Sequence, residues 1–441
     1  MEKKGKKISR RNFLKKGLLT GGLAAAGFPM FSSRLLHAAP KPKEKVKEVY
    51  FACVEPFTGA AAGWHKAGEF SLQIFMEELA SKGGIKSLGG AVLKELVFDT
   101  ESSPEVTLNV AERACNDPRV CAIVGCAQSA SCLILTRVAE KYGVPVLMPE
   151  PISPRLTSRG FKYSFMMMAN TNVTIQDTLE GIAWLKDKTT GKKVEKMAVV
   201  YEDSEYGRAM VEGIKFYSPQ YGLKIEYFPY SGLKDFDPFM MKVKEGNADF
   251  LYLVTFPTHQ LLIVQAAKRI GYNPLGMEMG SIDDRTIATL GKDADYLFDF
   301  AWESHEAKGL SSWEKERFRR INAKQSKLSG IKNDRVLSSN WNALAVIVDS
   351  LERCGKQLKD PTRWTRDDRR ILRDAIASVN LTPEKGGLYP WPIVFKSTGE
   401  NATARVTFTQ IQQGKELCVY PEDSKLKEAE VIFPVPPWDK R

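Results

Sequence analysis

The chain lacks the short motifs that mark the common catalytic classes of α/β protein. Its 441 residues contain no GxSxG nucleophile elbow and no GxGxxG dinucleotide-binding turn. Histidine is scarce, and the four histidines do not have the spacing of a metal-ligand set: His37, His65, His259 and His305. These absences argue against a hydrolase, a dehydrogenase and a metal centre. We therefore expect no cofactor and no metal ion.

Excess positive charge is confined to the start of the chain. The net charge is +11, but residues 1–39 hold nine of the 64 Lys and Arg residues and one of the 53 acidic residues. The rest of the chain therefore has a net charge of only +3. A nucleic-acid-binding domain would concentrate basic residues on its folded surface, so we expect no nucleic-acid partner.

The first 39 residues have the organisation of an export signal. SRRNFL, at residues 9–14, resembles the twin-arginine export motif, and an apolar stretch rich in Gly and Ala follows at residues 17–31. That stretch is too short to span a membrane stably, and we expect cleavage after Ala38 or Ala39. A retained N-terminal anchor is the alternative. Cleavage would release the mature protein into the periplasm.

Seven cysteines are present, and their spacing does not identify a role. Four of them fall between Cys115 and Cys132, with no CxxC pair and no histidine nearby. This is a poor zinc or iron–sulfur pattern. In an oxidising compartment, a disulfide near the first predicted sheet and a set of buried free thiols are both open interpretations.

The stretch from Val120 to Leu156 predicts a strand–helix–strand unit. Residues 120–124 are a short apolar run typical of a buried parallel strand, Cys132–Tyr142 is a predicted helix, and residues 144–148 are a second predicted strand. The loops that follow the two strands then lie at the same edge of a sheet. Open α/β sheets bind ligands at that edge.

Two serines, Ser129 and Ser131, stand at or just before the start of this predicted helix. Their hydroxyl groups and the free backbone N–H groups of the first helical turn would converge there. Such an arrangement favours a carboxylate or another anion. Capping of the helix by a serine is the structural alternative.

Strands and helices alternate through most of the chain. The pattern runs from residue 49 to Met148 and starts again with a predicted helix at Thr171. This alternation predicts an α/β fold built from two doubly wound, mostly parallel sheets. Each half, at about 130 residues, is of ordinary domain size.

Several segments resemble those of one protein family, in the same order along the chain. They are PFTGAAAGW, VGCAQSAS, PEPISPRLTSRGF, YEDSEYG, GGLYPWPIVFKSTGEN and PVPPW. The family is that of the periplasmic solute-binding proteins of branched-chain amino acid (Leu/Ile/Val-type) ABC transporters. Each segment alone is weakly specific, but together they span the mature chain and follow an export signal.

The resemblance implies a two-lobed, type I periplasmic-binding-protein fold in which two lobes close on a ligand. Three hinge crossings between the lobes are expected, near Ala169, Ala301 and Gly387. The expected divisions are a signal peptide (1–39), lobe 1 (45–169 and 302–386), lobe 2 (170–301 and 387–425) and a C-terminal tail (426–441).

The resemblance also implies which side chains line the cleft. In this family one lobe binds the ligand's carboxylate with hydroxyl and N–H groups, and the other holds its ammonium group with an acid and an aromatic ring. The matching positions are Trp64, Ser129, Ala130, Ser131, Ile152, Ser153, Tyr206, Phe256 and Asp283. Asp283 is the expected ammonium-binding acid, with Asp284 as the second candidate.

Some of these residues also have purely structural interpretations. Trp64 and Phe256 could pack within a lobe, Tyr206 could pack against a helix start, and Asp283 could cap a helix. The segment Glu150–Ile152 stands where the family often has small residues and a threonine. That departure, together with the aromatic residues, favours a larger or aromatic acid as ligand.

The expected function is that of an extracytoplasmic substrate-binding protein of an ABC importer, and not that of an enzyme. We expect it to bind a small amino acid, an amide or an aromatic carboxylate and to deliver it, as a monomer, to a permease in the inner membrane. Ligand sensing for a membrane receptor is the alternative, because one fold serves both functions. An exported α/β enzyme is a weaker alternative, since the catalytic motifs are missing.

Overall fold

The computed structural model describes the chain from residue 48 onward, with short gaps. The described residues are 48–188, 194–302, 310–332, 334–335, 337–424, 426 and 429–441. The expected export signal and its cleavage site lie outside these residues. Within the described part of the chain, no helix is long and apolar enough to cross a membrane.

The elements are numbered in chain order. The strands are β1 (Glu48–Glu55), β2 (Val92–Asp99), β3 (Val120–Gly125), β4 (Val146–Met148), β5 (Ser164–Met166), β6 (Lys196–Glu202), β7 (Lys224–Tyr230), β8 (Phe250–Val254), β9 (Gly276–Glu278), β10 (Phe298–Ala301), β11 (Thr407–Gln412) and β12 (Lys415–Tyr420). The α-helices are α1 (Ala62–Ser81), α2 (Pro104–Asn116), α3 (Ser129–Tyr142), α4 (Thr171–Lys188), α5 (Glu205–Tyr217), α6 (Asp237–Glu245), α7 (Pro257–Arg269), α8 (Asp284–Leu290), α9 (Ser312–Ser329), α10 (Ser338–Cys354) and α11 (Arg366–Ala377).

The first sheet has five strands in the order β2-β1-β3-β4-β5, and all of its pairs are parallel. Its central strands are apolar on both faces, because helices cover both sides. On one face, Phe51 packs with Leu72 of α1 and with side chains of α10 and α11. On the other face, Ala52 packs with Val110 of α2 and Leu135 of α3. The sheet is therefore doubly wound.

The second sheet has seven strands in the order β12-β11-β10-β9-β8-β6-β7. The pairs from β10 to β7 are parallel, and β11 and β12 add two antiparallel pairs. Leu251 faces one core, with α6 and α7, whereas Tyr252 faces another, with α4 and α5. The predicted α/β class with two mostly parallel sheets is confirmed.

The chain passes between the two sheets three times, after β5, after β10 and before β11. Residues 388–395 pack in the core of the first sheet, and Met166 forms a bridge with Glu400. The third passage therefore follows Asn401, later than the expected position near Gly387. The physical reason is burial, since an earlier passage would remove the apolar side chains of this segment from the first core.

The last residues of the chain, within the segment expected as a C-terminal tail (426–441), pack against the second sheet. The N–H of Val435 donates to the carbonyl of Leu275 at 2.9 Å. The buried indole of Trp438 donates from Nε1 to the carbonyl of Tyr272 at 2.8 Å. These bonds fix the segment across one end of the sheet.

All seven cysteines are free and buried. Of the two interpretations left open by the sequence, the structure contains the buried free thiols. The sulfur atoms of Cys126 and Cys132 lie 3.1 Å apart where β3 leads into α3. Burial raises the pKa of the Cys126 thiol well above its ordinary value.

Candidate functional site

A cavity of about 120 Å³ lies between the two sheets, at the carboxyl ends of their strands. The loops after β3 and β4 form one wall, and the starts of α5, α7 and α8 form the opposite wall. This is the edge at which parallel α/β sheets bind ligands. A volume of this size holds on the order of ten water positions, which suits a compound of about ten non-hydrogen atoms.

Six of the nine predicted site residues line the cavity: Trp64, Ser129, Ile152, Tyr206, Phe256 and Asp283. Ala130 and Ser131 lie further into α3 and do not line it, and the Ser131 side chain is fully buried. Ser153 also lies outside the lining of the cavity. Its hydroxyl donates to Oε1 of Glu205 at 3.0 Å. A direct ligand contact by any of these residues stays a prediction.

The wall formed by the start of α3 is shaped by the end of β3. A Cβ on Gly125 would lie 2.1 Å from the carbonyl oxygen of Val54, so only glycine allows β3 to end this close to β1. Helix α3 begins at Ser129, three residues before the predicted start, and its N-cap residue Gln128 makes no side-chain capping bond. Ser129 is therefore the first helical residue and not the cap. The first N–H groups of the helix have no partner within the helix itself.

Two carboxyl groups lie at this same wall. Glu55, the last residue of β1, is buried, and its Oε2 accepts from the N–H of Ala127 at 2.7 Å. Glu150 follows β4, and its Oε1 accepts from Nδ2 of Asn340 at 2.9 Å. Burial raises the pKa of Glu55 well above its usual range and that of Glu150 to about 7.

Three aromatic rings close the cavity between the two halves of the fold. Trp64 of α1 lies edge-on to Phe256, the N-cap of α7, with ring centroids 4.8 Å apart. Its ring is also 6.1 Å from that of Tyr206 in α5. Trp64 and Phe256 therefore contact each other across the cleft. Tyr206 additionally packs against the core of the second sheet.

The start of α8 forms the opposite wall. Asp283 is the N-cap of this helix, and its Oδ1 accepts from the N–H of Thr286 at 2.6 Å. The capping role is therefore present, although Asp283 also lines the cavity. Asp284 forms an ion pair with Arg335 at 2.8 Å, and the same guanidinium group also pairs with Glu416.

Several cavity residues were not predicted from the sequence. Arg335 lies in the loop between α9 and α10, where no motif marks it. Asp299 lies within β10, and its carboxylate accepts from the N–H groups of Ser281 and Ile282 at 2.7 and 3.1 Å. A buried acid inside the apolar strand FDFA was a signal that could have identified this residue.

The histidines that the structure describes take part in packing. His65 is buried against the ring of Phe57, with centroids 3.9 Å apart, and burial lowers its pKa to about 4. His259 shares a hydrogen bond of 2.9 Å with the hydroxyl of Tyr230. Among the described residues, no group of three or more His, Cys, Asp or Glu side chains could hold a metal ion.

Comparison with known proteins gives consistent results. The sequence profile of a family described as periplasmic binding protein matches residues 48–416. A leucine-, isoleucine-, valine-, threonine- and alanine-binding protein of Pseudomonas aeruginosa is 25% identical over 279 residues, covering 63% of this chain and 69% of the relative.

Two solved structures illustrate the similarity in fold. A leucine-binding protein from Thermotoga maritima superposes with a TM-score of 0.67 at 20% identity, covering 83% of this chain and 97% of the other. A solute-binding protein of an ABC transporter from Rhodopseudomonas palustris, in complex with benzoate, gives a TM-score of 0.69 at 14% identity, with coverages of 87% and 99%.

Proposed function

Because the chain belongs to the periplasmic binding protein family, we propose that it is the extracytoplasmic substrate-binding protein of an ABC importer. The family and the relative from Pseudomonas aeruginosa consist of binding proteins, so the chain is not an enzyme. Its proposed role is to capture a small molecule outside the cytoplasm and to deliver it to a permease in the inner membrane. Because one fold serves several functions, the proposal depends on the binding site as well as on the fold.

The ligand is proposed to be a small amino acid, an amide or an aromatic carboxylate. The observation that carries this proposal is the cavity between the carboxyl edges of the two sheets, with aromatic side chains contributed by both halves. Its size of about 120 Å³ suits a compound of about ten non-hydrogen atoms, and these three classes include compounds of that size. One related protein is described as binding leucine and another as bound to benzoate, which supports the same range.

Contacts across the cleft support closure of the two halves on the ligand. Arg155 after β4 forms an ion pair of 2.8 Å with Glu205 at the start of α5. Arg285 of α8 donates to the carbonyl of Lys66 in α1 at 3.0 Å. Because only three chain segments join the halves, opening needs changes in few backbone dihedral angles.

Ligand binding is tested on the purified mature protein with a panel of amino acids, amides and aromatic acids. A ligand at 100 times its Kd should stabilise the protein by about 2.7 kcal/mol in a melting experiment. Trp64→Ala should weaken binding of any hit at least tenfold in calorimetric titration, whereas Trp313→Ala, an exposed tryptophan on α9, should leave it unchanged. Turnover of a compound without stabilisation by any of them would contradict the proposal.

Export by the twin-arginine route to the periplasm is a separate part of the proposal. It is supported by the SRRNFL motif and the apolar stretch after it. Changing Arg10 and Arg11 together to Lys should leave full-length protein in the cytoplasm, measured by fractionation and immunoblotting. Unchanged levels of the protein in the periplasm would show that another export pathway recognises the signal sequence.

A further inference from the structure

The charges around the cavity are unevenly distributed. Six carboxyl side chains and one guanidinium group line it, and the carboxyl groups belong to Glu150, Asp283, Asp284, Asp299, Asp334 and Glu416. The guanidinium group of Arg335 is already bound by two of these carboxylates. A ligand carboxylate would therefore find no free cation in the described lining of the cavity.

The wall at the start of α3 is also occupied by carboxyl groups of the chain itself. A helix start of this kind attracts an anion through its free N–H groups. Here, Glu55 accepts the N–H of Ala127, in the loop just before α3. Glu150 lies close enough to Glu55 for its charge to raise the pKa of that carboxyl group further. Burial disfavours the charged form of these two carboxyl groups, and it would equally disfavour the charged form of a ligand carboxylate placed at this wall.

The polar atoms left without a partner favour a ligand that donates hydrogen bonds. Oε2 of Glu150 and Oδ2 of Asp334 are both inaccessible to solvent, and neither has a hydrogen-bond partner. Both residues line the cavity. On the donor side, Nε1 of Trp302 is unpartnered. Buried carboxylate oxygens without partners are costly, so a bound ligand with N–H groups would satisfy them.

We propose that the ligand presents a nitrogen-bound hydrogen-bond donor, as in a primary carboxamide or an amine, to Glu150 at the wall formed by the start of α3. A free carboxylate is excluded from that position. This inference rests on the proposed function and narrows its ligand range. Among the three classes considered there, it selects the amide, or the corresponding amine, over the carboxylate.

The test compares ligands that share one carbon skeleton and differ only in the polar group. Benzoate, benzamide and benzylamine form one series, and 4-methylpentanoate, 4-methylpentanamide and 4-methylpentylamine form the other. All six have sizes that suit the cavity. Calorimetric titration and melting are measured on the same preparation. We expect an amide or an amine to bind at least tenfold more tightly than the matching acid in at least one series.

The possible outcomes separate this inference from the proposed function. Tighter binding of benzoate or 4-methylpentanoate than of their amide and amine partners would overturn the inference and leave the proposed function intact. An absence of binding by all six compounds would count against both, because the proposed function then loses the ligand class that its cavity suits. Equal binding within each series would also overturn the inference.

Two matched variants locate the effect. Glu150→Gln keeps the size of the side chain but removes its carboxylate, so it should weaken binding of the preferred amide or amine at least tenfold. The ratio between the affinities for this ligand and for the matching acid should also become smaller. Glu69→Gln, on the exposed surface of α1, should change neither quantity. Unchanged selectivity in a folded Glu150→Gln protein would overturn the assignment of Glu150. If that variant does not fold, the series measured on the unmodified protein still decides the inference.

Discussion

The starts of α3 and α8 lie on opposite walls of the cavity and differ in how their free N–H groups are bound. Helix α8 is capped by Asp283, whereas α3 begins at Ser129 after an N-cap residue that makes no capping bond. From the sequence, both residues had the same two interpretations, namely ligand contact or cap. The difference teaches that a polar side chain caps a helix only from the non-helical position before the first turn. One residue later, its hydroxyl group is free for a ligand.

The two walls also differ in how they are fixed. At α8, Asp284 is tied to Arg335, and the carboxylate of Asp299 holds the backbone of the preceding loop. At α3, Glu150 lies in the wall with one oxygen unpartnered. We therefore expect changes at the α8 wall to affect stability first and changes at the α3 wall to affect binding first.

The largest effect is expected at the α8 wall. Arg335→Met leaves Asp284 and Glu416 as uncompensated, largely buried charges, and it should lower the free energy of unfolding by about 3 kcal/mol. Denaturant unfolding measures the change. The control Arg370→Met removes the exposed ion pair with Asp374 and should cost less than about 1 kcal/mol. Equal losses of unfolding free energy in the two variants would contradict the expectation that the largely buried ion pairs of Arg335 contribute more than the exposed pair of Arg370.

The next effect tests the α3 wall. Ser129→Ala removes a hydroxyl group that faces the cavity and does not cap the helix, so ligand affinity should fall about 10- to 100-fold. The free energy of unfolding should change by less than about 1 kcal/mol, because no cap is lost. Titration and melting of one preparation give both numbers. A less stable protein with unchanged affinity would remove Ser129 from the site.

A smaller effect is expected at the cap of α8. Asp283→Ala removes the acceptor for the N–H of Thr286 and should cost about 1–2 kcal/mol of stability. Asp283→Asn retains a capping oxygen and should recover most of that loss. If Asp283 also binds an ammonium group of the ligand, the Asn variant should be stable and yet bind such a ligand more weakly. Equal destabilisation by Ala and Asn would show that the cap contributes little.

The last prediction concerns the pH dependence of stability at the α3 wall. The pKa of Glu150 is raised to about 7 in the folded protein from an ordinary value of 4.5, because burial disfavours the charged form. Its contribution to stability is therefore fully present below pH 4.5 and is lost as the pH rises through 7. Between pH 4.5 and 8, the stability of Glu150→Gln relative to the unmodified protein should rise by about 3 kcal/mol. A constant difference across this range would contradict the raised pKa.

The architecture was accessible from the sequence because it depends on local patterns. Apolar runs alternating with amphipathic segments predicted both parallel sheets, and the end of β3 at Gly125 placed a loop at the ligand-binding edge. Boundaries were less accessible. The start of α3 was predicted three residues late, because the small residues from Ala127 to Ser131 show no helical periodicity. The third passage between the sheets was predicted near Gly387, earlier in the chain than the structure has it. The sequence of residues 388–395 does not show that they are buried in the core of the first sheet, because that core is formed by distant residues.

The sequence by itself determined which loops meet at the cavity and that Ser129 lies in one of them, whereas Trp64 and Phe256 were expected there from the family resemblance. It did so because strand ends and helix starts are local features of a chain. Only the tertiary structure decided that Asp283 caps α8 and that Arg335 is already paired with two carboxylates. It also decided that the carboxyl groups of Glu55 and Glu150 lie at one wall. These properties arise between residues far apart in the chain. Their charges and hydrogen bonds interact only after the two sheets have brought them within a few ångströms in a medium from which water is largely excluded.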